Sequence, residues 1–428
     1  MKVLWMCNRL LSRVYELQGK IKNIPSTGGW LEGLSDSLLK SKDVDLICVF
    51  LLSDITKMEY RKKDNFSYYL IPATQKEIMS GDTSAVSYRE LLKKVIVDEN
   101  PQVIHLFGTE LKASWIATQI CKELGIVEKV VVSIQGLVSV YSEHYFDGFD
   151  TGWKNICTIQ ELKNATNMRK DQRGYFLRGK LEIDTLQNVK NVIGRTDWDK
   201  GIVNLINPHV RYHFCNETLR REFYTDEWSY RSCKPHSIYI SQASYPIKGF
   251  HMFLQALQYV VKRYPDTIVN VAGNNRFGSN IVKGSGYYLY LQHLMKLYNV
   301  EKNVNFLGAI DAASVKKKLL ESNVYVSPSN IENSPNSLGE AMLLGVPCIT
   351  SDVGGVKNLI DHGTEGYVYP YNEYYMLAYY VIQVFDMQED VEKISYNARK
   401  HAKTTHNPDA NQQTLMDIYH EIEGQEEQ

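Results

Sequence analysis

Short apolar runs rich in β-branched residues alternate with longer segments of helical periodicity along most of the chain. In the first half, the runs predict strands at 2–6, 44–51, 67–71, 103–106, 129–134 and 192–194. In the second half, they predict strands at 237–240, 267–272, 304–306, 324–326, 348–350 and 366–369. Because helical segments separate most of these runs, the pattern is typical of parallel βαβ units rather than of a sandwich or a bundle. The sequence therefore predicts an α/β protein with two Rossmann-like domains.

A polar segment without apolar periodicity, residues 225–236, separates the two halves. We interpret it as a linker between an N-terminal Rossmann-like domain, residues 1–224, and a C-terminal one, residues 237–400. Residues 401–428 are expected to add helical structure after the second domain. Since open α/β sheets bind ligands at the carboxyl ends of their strands, we expect the functional residues in a cleft between the two domains.

The charge balance and the cysteine pattern argue against several kinds of function. The 48 Lys and Arg residues nearly match the 49 Asp and Glu residues, so a formal net charge of −1 gives no cationic field for nucleic acid. The seven cysteines are never closer than 18 residues apart, which leaves no metal or redox spacing among them. The N-terminal apolar run is too short for a signal peptide, and no apolar stretch is long enough to span a bilayer. We therefore expect a cytoplasmic protein without a nucleic-acid partner.

The most informative segment is 322–355, which is predicted to fold as strand, loop, helix, strand and loop. The helix should begin near Asn336 or Ser337 and end before Gly345, which suits the position after a helix. Amides at a helix start lack partners within the helix, and those of Asn336 to Leu338 would favour an anion such as a phosphate. A phosphate-containing ligand is therefore expected here.

Two glutamates in this segment have both a structural and a functional interpretation. Glu332 lies in the loop, and Glu340 lies eight positions later inside the helix. Ser337 and Glu340 have the spacing of a capping box, in which the glutamate turns back to its own helix start. Glu332, in the structural interpretation, is a solvated loop residue. From the residues alone, the two interpretations are equally favoured.

Segment 322–355 resembles the nucleotide-sugar-binding half of family 4 retaining glycosyltransferases, which have the GT-B fold. The signature of that family is two glutamates separated by seven residues, and the matching positions here are Glu332 and Glu340. The resemblance implies that Glu332 approaches the transferred sugar and that Glu340 holds the ribose hydroxyls. Residues 241–257 resemble the family's strand, loop and Lys-Gly pair before a helix, which implies that Lys248 contacts the donor diphosphate.

Other segments extend the resemblance over most of the chain. Residues 304–311, which include Leu307, look like the loop that packs on the nucleotide base. The family's Gly-Gly loop, which lies beneath the donor phosphates, is matched by Gly28 and Gly29. The resemblance further implies that the last helix, in residues 401–428, packs back on the N-terminal domain. Softer similarities point to bacterial members that assemble surface polysaccharides such as capsule, exopolysaccharide or O-antigen.

Two positions depart from the family pattern. Many relatives have an arginine six residues before the lysine, whereas this chain has Gln242, and Arg195 or Arg276 are candidates to replace the missing cation. Many also have a histidine near the 6-hydroxyl of the sugar, where this chain has Gln135. Glutamine can hydrogen-bond a hydroxyl but holds no charge. These departures favour an alternative: a catalytically weak GT-B subunit that binds a nucleotide sugar.

The resemblance implies a reaction that retains the anomeric configuration. We expect a UDP- or GDP-sugar as donor substrate, no cofactor and no essential divalent metal. Lys248 and the helix start near Ser337 are the candidates to stabilise the departing diphosphate, a role that a metal plays in other enzymes. Glu332 would position the sugar for attack on the face that the diphosphate leaves. Asp43 and Asp45 lie at the start of a predicted strand and are interpreted as solvated residues rather than metal ligands.

The acceptor side is expected to involve a glycan or a polyprenyl-linked saccharide. Residues 154–180 contain seven basic residues against two acidic ones: Lys154, Lys163, Arg169, Lys170, Arg173, Arg178 and Lys180. The run is interpreted either as a solvated helical face or as a dock for an anionic bilayer, with the protein peripheral at the inner face of the membrane. His105, at the end of a predicted strand, is a further acceptor-side candidate, although a buried, hydrogen-bonded histidine is the commoner outcome.

Two other enzyme classes lack their sequence signals here. Neither half opens with G-x-G-x-x-G after its first strand, which argues against a nicotinamide oxidoreductase. The Walker pattern of a P-loop kinase or nucleotidase is also absent from the sequence. A hexosyl or related glycosyltransferase therefore remains the favoured interpretation.

Overall fold

A computed structural model describes residues 1–19, 29–41, 43–273 and 284–424. The chain forms two α/β units, and each unit is built on its own sheet. Unit 1 comprises residues 1–142, 174–218 and 406–428. Unit 2 comprises residues 143–173 and 219–405. Both sheets are mainly parallel, as the alternation of strands and helices predicts.

The strands of unit 1 are β1 (Lys2–Met6), β2 (Asp45–Leu52), β3 (Glu59–Lys63), β4 (Phe66–Pro72), β5 (Val103–Phe107), β6 (Val130–Ser133), β7 (Asn191–Gly194) and β8 (Arg211–Phe214). They are ordered β3-β4-β2-β1-β5-β6-β7-β8, and the pairs are parallel except for β3 with β4. Every position of β5 and β6 is buried, because helices cover both faces of a parallel sheet.

The strands of unit 2 are β9 (Lys234–Ile240), β10 (Ile268–Ala272), β11 (Val304–Gly308), β12 (Ser322–Ser327), β13 (Cys348–Asp352) and β14 (Tyr367–Pro370). Their order is β11-β10-β9-β12-β13-β14, and the pairs are parallel. The chain leaves β9 toward β10 on one side and later returns to β12 on the other side. The sheet order therefore reverses between β9 and β12.

The α-helices lie mainly between these strands. They are α1 (Ser12–Leu17), α2 (Gly29–Leu38), α3 (Gln75–Met79), α4 (Arg89–Glu99), α5 (Lys112–Glu123), α6 (Val138–Glu143), α7 (Ile159–Lys163), α8 (Met168–Asn188), α9 (Asp197–Ile206), α10 (Phe250–Arg263), α11 (Gly286–Leu297), α12 (Ala312–Leu320), α13 (Asn336–Leu344), α14 (Tyr374–Met387), α15 (Glu392–Thr405) and α16 (Pro408–Glu423).

Short 3-10 helices lie at Val127–Lys129, Thr151–Trp153, Arg221–Tyr224, Tyr230–Ser232, Pro246–Lys248, Glu301–Asn303, Val356–Asn358 and Gln388–Val391. The α-helices pack through apolar faces of helical period, as in α10, where Phe250, Phe253, Leu254 and Leu257 are all buried. Across the described ranges, no helix has both the length and the apolar character needed to cross a bilayer.

The bounds of the two units differ from the predicted domain bounds. Residues 143–173 belong to unit 2, although they lie within the stretch 1–224 that the sequence assigns to the first domain. The predicted linker, residues 225–236, is also part of unit 2. Trp228 within it is buried and donates its indole N–H to the carbonyl of Ser322 at 2.7 Å. Isolated apolar residues of this kind anchor a segment without producing a periodic pattern.

The last helix, α16, is a part of unit 1. Tyr419 is fully buried there, and its hydroxyl accepts a hydrogen bond of 2.9 Å from the indole N–H of Trp5 in β1. Leu415, Ile418 and Ile422 are buried on the same helix. Helix α16 thus covers part of the sheet of unit 1.

The predicted strands all occur within a few residues of their expected positions, but β3 and β8 are missing from the prediction. Strand β3 has the sequence EYRKK and is exposed at every position. Strand β8 has the sequence RYHF and buries one residue, His213. Both lie at the edges of the sheet of unit 1. Edge strands bury little surface, so they lack the apolar run on which the prediction relies.

Candidate functional site

Lys248 and Glu332 lie at the carboxyl edge of the sheet of unit 2. Lys248 ends the short helix that follows β9, and Glu332 lies in the loop that follows β12. The sheet order reverses between these two strands. Such a reversal opens a crevice at the carboxyl ends of the strands, where α/β proteins bind their ligands. The two predicted residues therefore come together at the point of the sheet best suited to hold a ligand.

The loop that carries Glu332 is held closely by backbone contacts on both sides. Gly249 has a φ of 63°, and a β-carbon there would overlap the carbonyl oxygen of Pro328. Gly354 has a φ of 52°, and a β-carbon there would overlap the carbonyl oxygen of Glu332. The backbone N–H of Asn330 also donates to the backbone carbonyl of Ile247 at 2.7 Å. Glycine at both positions lets the backbone approach closely enough to fix Glu332.

Lys248 and Glu332 form an ion pair between Nζ and Oε1. The hydroxyl of Ser329 donates to the same carboxylate oxygen at 2.8 Å. The side chain of Lys248 is 23% exposed and that of Glu332 is 10% exposed, so the pair is accessible to a ligand from the side of the lysine. The carboxylate of Glu332 thus places a negative charge directly beside the ammonium of Lys248.

Glu340 lies inside α13, which begins at Asn336 and is followed by Gly345 in the left-handed conformation, as predicted. Its carboxylate binds the guanidinium of Arg220, with Nε to Oε1 and Nη2 to Oε2 both at 2.6 Å. Burial raises the pKa of Glu340, and the hydrogen bonds from Arg220 oppose this effect. The capping-box interpretation of Ser337 and Glu340 is wrong, because Arg220 takes the carboxylate.

The start of α13 differs in one respect from the prediction. The amide of Leu338 was expected to be available to an anion, but it donates to the carbonyl of Pro335 at 2.9 Å. Pro335 occupies the N-cap position, so its carbonyl faces the first turn. The hydroxyl of Ser337 is 2.8 Å from the hydroxyl of Tyr325 in β12. The helix start is therefore tied to the sheet beneath it.

Two further predicted residues lie at the same edge of unit 2. Gln242 follows β9, and its side-chain oxygen packs against the backbone of Gly273 after β10. Leu307 lies near the carboxyl end of β11 and is half-buried. The strands β9, β10 and β11 are neighbours in the sheet. Gln242 and Leu307 therefore extend the edge that begins with Lys248.

Unit 1 contains Gln135, which follows β6. Its side-chain amide donates to Glu217 at 2.7 Å, and Glu217 forms an ion pair of 2.8 Å with Arg195. Arg195, a candidate to replace the cation missing at Gln242, thus already has a carboxylate partner within unit 1. Glu217 was not found from the sequence, because its role depends on two residues that are distant in the chain.

Of the predicted residues Gly28, Gly29 and Arg276, the structure describes only Gly29. Gly29 is the first residue of α2, whereas Gly28 lies outside the described residues. Arg276 also lies outside the described residues. The predicted role of Gly28 and Gly29 stays a prediction.

His105 and Arg173, the two acceptor-side candidates, differ strongly in their surroundings. His105 in β5 is buried, and its ring nitrogens lie 2.6 Å from the hydroxyls of Tyr419 and Ser133. Burial lowers the pKa of His105 to about 3, so its imidazole is neutral near pH 7. This is the buried, hydrogen-bonded outcome that the sequence analysis names as the commoner one. Arg173 lies in α8 and is exposed.

Glu110, which the sequence analysis missed, lies at the corresponding edge of unit 1. The sheet order reverses between β1 and β5, and Asn8 follows β1 whereas Glu110 follows β5. The amide of Asn8 donates to Oε1 of Glu110 at 3.2 Å, and among the described residues Oε2 is buried without a hydrogen-bond partner. Burial raises the pKa of Glu110 to about 7. The topology of the sheet, rather than a motif, is the signal that finds it.

Comparison with known proteins finds a family model that is similar to part of the chain. Residues 223–401 match the model of the family described as glycosyl transferases group 1. Spore coat protein SA of Bacillus subtilis (strain 168) is 26% identical over 176 residues, which are 40% of this chain and 45% of that protein. The amylovoran biosynthesis glycosyltransferase AmsK of Erwinia amylovora is 26% identical over 126 residues, 28% of this chain and 31% of AmsK. The chain thus spans less than half the length of these curated relatives.

Solved structures match over almost the whole chain. Sucrose-phosphate synthase from Thermosynechococcus elongatus has a TM-score of 0.70 at 14% identity and covers 99% of each chain. HepE of Anabaena in complex with UDP-glucose has a TM-score of 0.67 at 14% identity, over 98% of this chain and 99% of HepE. These matches confirm the predicted GT-B fold with two Rossmann-like domains. The family match confirms the predicted resemblance at the level of group 1 glycosyltransferases.

Proposed function

We propose that this chain is a retaining glycosyltransferase that moves a hexosyl or related sugar from a nucleotide sugar to a glycan or polyprenyl-linked acceptor. The observation that carries the proposal is the Lys248–Glu332 pair at the sheet reversal of unit 2. Both residues, together with Glu340, lie within the segment 223–401 that matches the group 1 glycosyltransferase model. The same positions match the lysine and the glutamate pair of family 4.

Breaking the bond between sugar and diphosphate increases the negative charge on the diphosphate. Lys248 would stabilise that charge with its ammonium, and the start of α13 near Asn336 and Ser337 would add the positive end of the helix dipole. Fixed donors aimed at developing charge commonly contribute about 3 to 4 kcal/mol each. Because these groups supply the positive charge, we expect activity to persist when divalent cations are removed by chelation.

We propose that transfer takes place on one face of the sugar. The bond between C1 and the phosphate oxygen breaks, and a bond forms between C1 and the acceptor oxygen on the same face. The acceptor hydroxyl proton passes to the departing phosphate oxygen, which balances the reaction without a protein base. Glu332 holds the sugar in the orientation that this attack requires. Gln135 is the proposed partner of the sugar's 6-hydroxyl, through its side-chain oxygen.

The donor is proposed to be a UDP- or GDP-sugar. Glu340 would accept hydrogen bonds from the ribose hydroxyls, and Leu307 would pack near the base. Gly28 and Gly29 are proposed to lie near the donor phosphates, whereas Gln242 takes the place of a phosphate-binding arginine. HepE, a structural neighbour, is described in complex with UDP-glucose, which favours UDP among the candidates.

The acceptor and the cellular setting are proposed from the relatives and from surface charge. AmsK is named as an amylovoran biosynthesis glycosyltransferase, which favours a role in polysaccharide synthesis, and we propose that the product is a surface polysaccharide. In unit 2, Lys163, Lys170 and Arg173 are exposed, and Leu162 in α7 is 69% exposed. Basic residues contribute about 1 kcal/mol each near an anionic bilayer. We therefore propose peripheral binding at the inner face of the membrane, which sedimentation with phosphatidylglycerol vesicles would detect and equal recovery with phosphatidylcholine vesicles would contradict.

The central experiment compares variants of the full chain in donor turnover. Lys248→Ala and Glu332→Ala should each lower the turnover of the preferred UDP- or GDP-sugar by two or more decades while the thermal unfolding midpoint stays close to that of the wild type. Lys234→Ala is the matched control, because Lys234 begins β9 whereas Lys248 follows the other end of that strand. Near-normal turnover in either site variant would reject the assignment.

Slow donor hydrolysis in the absence of acceptor separates transfer from mere binding. A chain that binds a nucleotide sugar, as judged by thermal stabilisation, but neither transfers nor hydrolyses it would instead be a binding subunit. Gln242 is the residue that favours this second candidate function, since it removes one cation from the diphosphate site. Replacing it in a Gln242→Arg variant should raise turnover if the missing cation limits the rate.

A further inference from the structure

Unit 1 contains a cavity at the carboxyl ends of β5 and β6, with about 420 Å³ of empty volume that is partly open to solvent. Its walls are mainly apolar, and the side chains that form them come from α2, β5, β7 and α16: Trp30, Leu34, Phe107, Ile193 and Leu415. Ser133, the last residue of β6, also lines the cavity. A largely apolar cavity with a few placed polar groups is the usual form of a small-molecule site.

A chain of three hydrogen bonds runs through the core of unit 1 to Ser133. The indole N–H of Trp5 donates to the hydroxyl of Tyr419 at 2.9 Å. The same hydroxyl lies 2.6 Å from Nδ1 of His105, and Nε2 of His105 lies 2.6 Å from Oγ of Ser133. All four residues are more than nine-tenths buried. Water therefore has little access to the chain.

The chemistry of Trp5 and His105 sets the direction of these hydrogen bonds. The indole of Trp5 can only donate, so the oxygen of Tyr419 accepts, and the proton of Tyr419 is directed to Nδ1 of His105. Burial lowers the pKa of His105 to about 3, so its ring carries a single proton near pH 7. That proton lies on Nε2, because Nδ1 is an acceptor. His105 therefore donates to Ser133.

This direction leaves Ser133 with a proton that it cannot donate to His105. Within the described ranges, His105 is the one hydrogen-bond partner of Oγ of Ser133. A buried donor that lacks an acceptor costs free energy, so Ser133 favours a ligand oxygen that can accept. Hydrogen bonds aligned in one chain also polarise each other, which strengthens the last donor. The cavity thus offers one oriented donor among apolar walls.

We propose that this cavity binds the acetamido group of a 2-acetamido sugar, whose carbonyl oxygen accepts from Ser133 and whose methyl group contacts the apolar walls. An acetamido group combines an acceptor oxygen with an apolar methyl group. A hydroxyl could accept from Ser133 but would leave the apolar walls without a contact. His105 and Tyr419 are positioning residues, because they direct the proton of Ser133 and do not themselves contact the sugar.

The inference rests on the proposed function, in which Gln135 contacts a sugar. Gln135 lies two residues after Ser133, and its side-chain amide donates to Glu217 at 2.7 Å. Glu217 also lines the cavity. The cavity therefore adjoins the proposed sugar partner within unit 1, and the inference adds the substituent that the sugar carries.

The first test determines which nitrogen of His105 carries the proton. Nitrogen-15 NMR of the full chain with labelled histidine distinguishes the two ring nitrogens, and a His105→Gln variant identifies the signals of His105 by their loss. We expect a neutral ring with its proton on Nε2 at pH 7. A proton on Nδ1 would overturn the inference, because Ser133 would then have to donate to His105.

The second test measures affinity by calorimetry with two pairs of probes. One pair is N-acetylglucosamine and glucose, each linked to UDP or GDP, whichever nucleotide the chain prefers. The other pair is the methyl glycosides of the same two sugars, measured with and without that nucleotide. We expect the acetamido member of at least one pair to bind at least about tenfold more tightly. A preference in the first pair assigns the acetamido group to the transferred sugar, and one in the second pair assigns it to the acceptor.

Variants of Ser133 and Tyr419 connect this preference to the cavity. Ser133→Ala should weaken binding of the acetamido probe at least about fivefold and leave the glucose probe unchanged. Ser133→Cys keeps a side chain of similar shape but is a weak donor, so it should lose most of the preference and decides the question if Ser133→Ala does not fold. Tyr419→Phe should lose part of the preference. Ser232→Ala is the control, because Ser232 is exposed and donates to the carbonyl of Ser229 in unit 2.

The outcomes that overturn the inference differ from those that overturn the proposed function. Equal affinity for both members of both pairs, or an unchanged preference in folded Ser133→Ala, would reject the acetamido site while leaving the donor site in place. If the chain binds neither UDP nor GDP, the proposed donor function fails. The methyl glycosides without nucleotide and the NMR of His105 then still decide whether the cavity binds an acetamido sugar.

Discussion

Replacing Glu332 by glutamine should strengthen the binding of a free nucleoside diphosphate while it impairs sugar transfer. In the structure, Glu332 forms an ion pair with Lys248, and Ser329 donates to the same carboxylate. A phosphate that reaches Lys248 must therefore compete with Glu332. Glutamine keeps the size of the side chain but removes its charge, so the phosphate no longer competes with a carboxylate for Lys248.

The magnitude follows from Coulomb's law. A carboxylate and a phosphate that share one lysine lie about 5 to 6 Å apart, and an effective dielectric constant of about 20 gives a repulsion of about 3 kcal/mol. Because Lys248 is 23% exposed, solvent and salt screen part of this energy, and we expect about 1 to 2 kcal/mol. Glu332→Gln should therefore bind UDP or GDP about 5 to 30 times more tightly than the wild type.

Turnover should change in the opposite direction. The wild-type carboxylate is proposed to hold the sugar, so Glu332→Gln should lower transfer by about two decades, equivalent to about 2.7 kcal/mol of barrier. Calorimetry at low and high salt measures the first effect, and product formation measures the second. Glu365→Gln is a matched control, because Glu365 is also 10% exposed but pairs with His401. Equal or weaker diphosphate binding by Glu332→Gln would refute the competition between carboxylate and phosphate.

Two further predictions concern stability. Burial raises the pKa of Glu110 to about 7 from 4.5, so the folded state keeps a proton that the unfolded state releases between these values, and stability should fall by about 3 kcal/mol as pH rises through this window. Glu110→Gln should remove that dependence in thermal unfolding between pH 5 and 8, and parallel profiles of variant and wild type would contradict it. Gly249→Ala should cost about 2 kcal/mol or more and weaken UDP binding, because its β-carbon would overlap the carbonyl of Pro328. Gly201→Ala, where a β-carbon meets open space in α9, should be neutral or stabilising, and equal losses in both variants would argue against this explanation.

In the candidate site, some features depend on residues that are close in sequence, and others depend on residues that are distant in sequence. The strand, loop and helix around Glu332 and Glu340 could be predicted because each depends on neighbours in sequence: an apolar run, a proline-containing loop and a glycine after the helix. The spacing of the two glutamates is also a property of the sequence. The predicted capping box is wrong because it relies on the local spacing of Ser337 and Glu340. The residue that binds the carboxylate of Glu340 is Arg220, which lies 120 positions away in the chain.

Segment 143–173 illustrates the same limit for the fold. Its sequence places it between strands of the first half, yet it belongs to unit 2. Asn330 donates its side-chain amide to the carbonyl of Asp147 at 3.1 Å, and His251 donates to the same carbonyl at 2.9 Å. Backbone carbonyls exist at every residue, so a bond to one of them leaves no mark in the sequence of the segment.

The amino-acid order by itself determined two α/β halves, the limits of most strands, and a lysine with two glutamates at spacings that fit sugar transfer. These features follow from periodicity, turn residues and charge, which act over a few residues. Only the tertiary structure decided that Lys248 faces Glu332, that Arg220 holds Glu340, and that Glu110 lies at the reversal of the first sheet. Such pairings depend on strand order and on packing between segments that are distant in the chain, and no short stretch of sequence encodes either one.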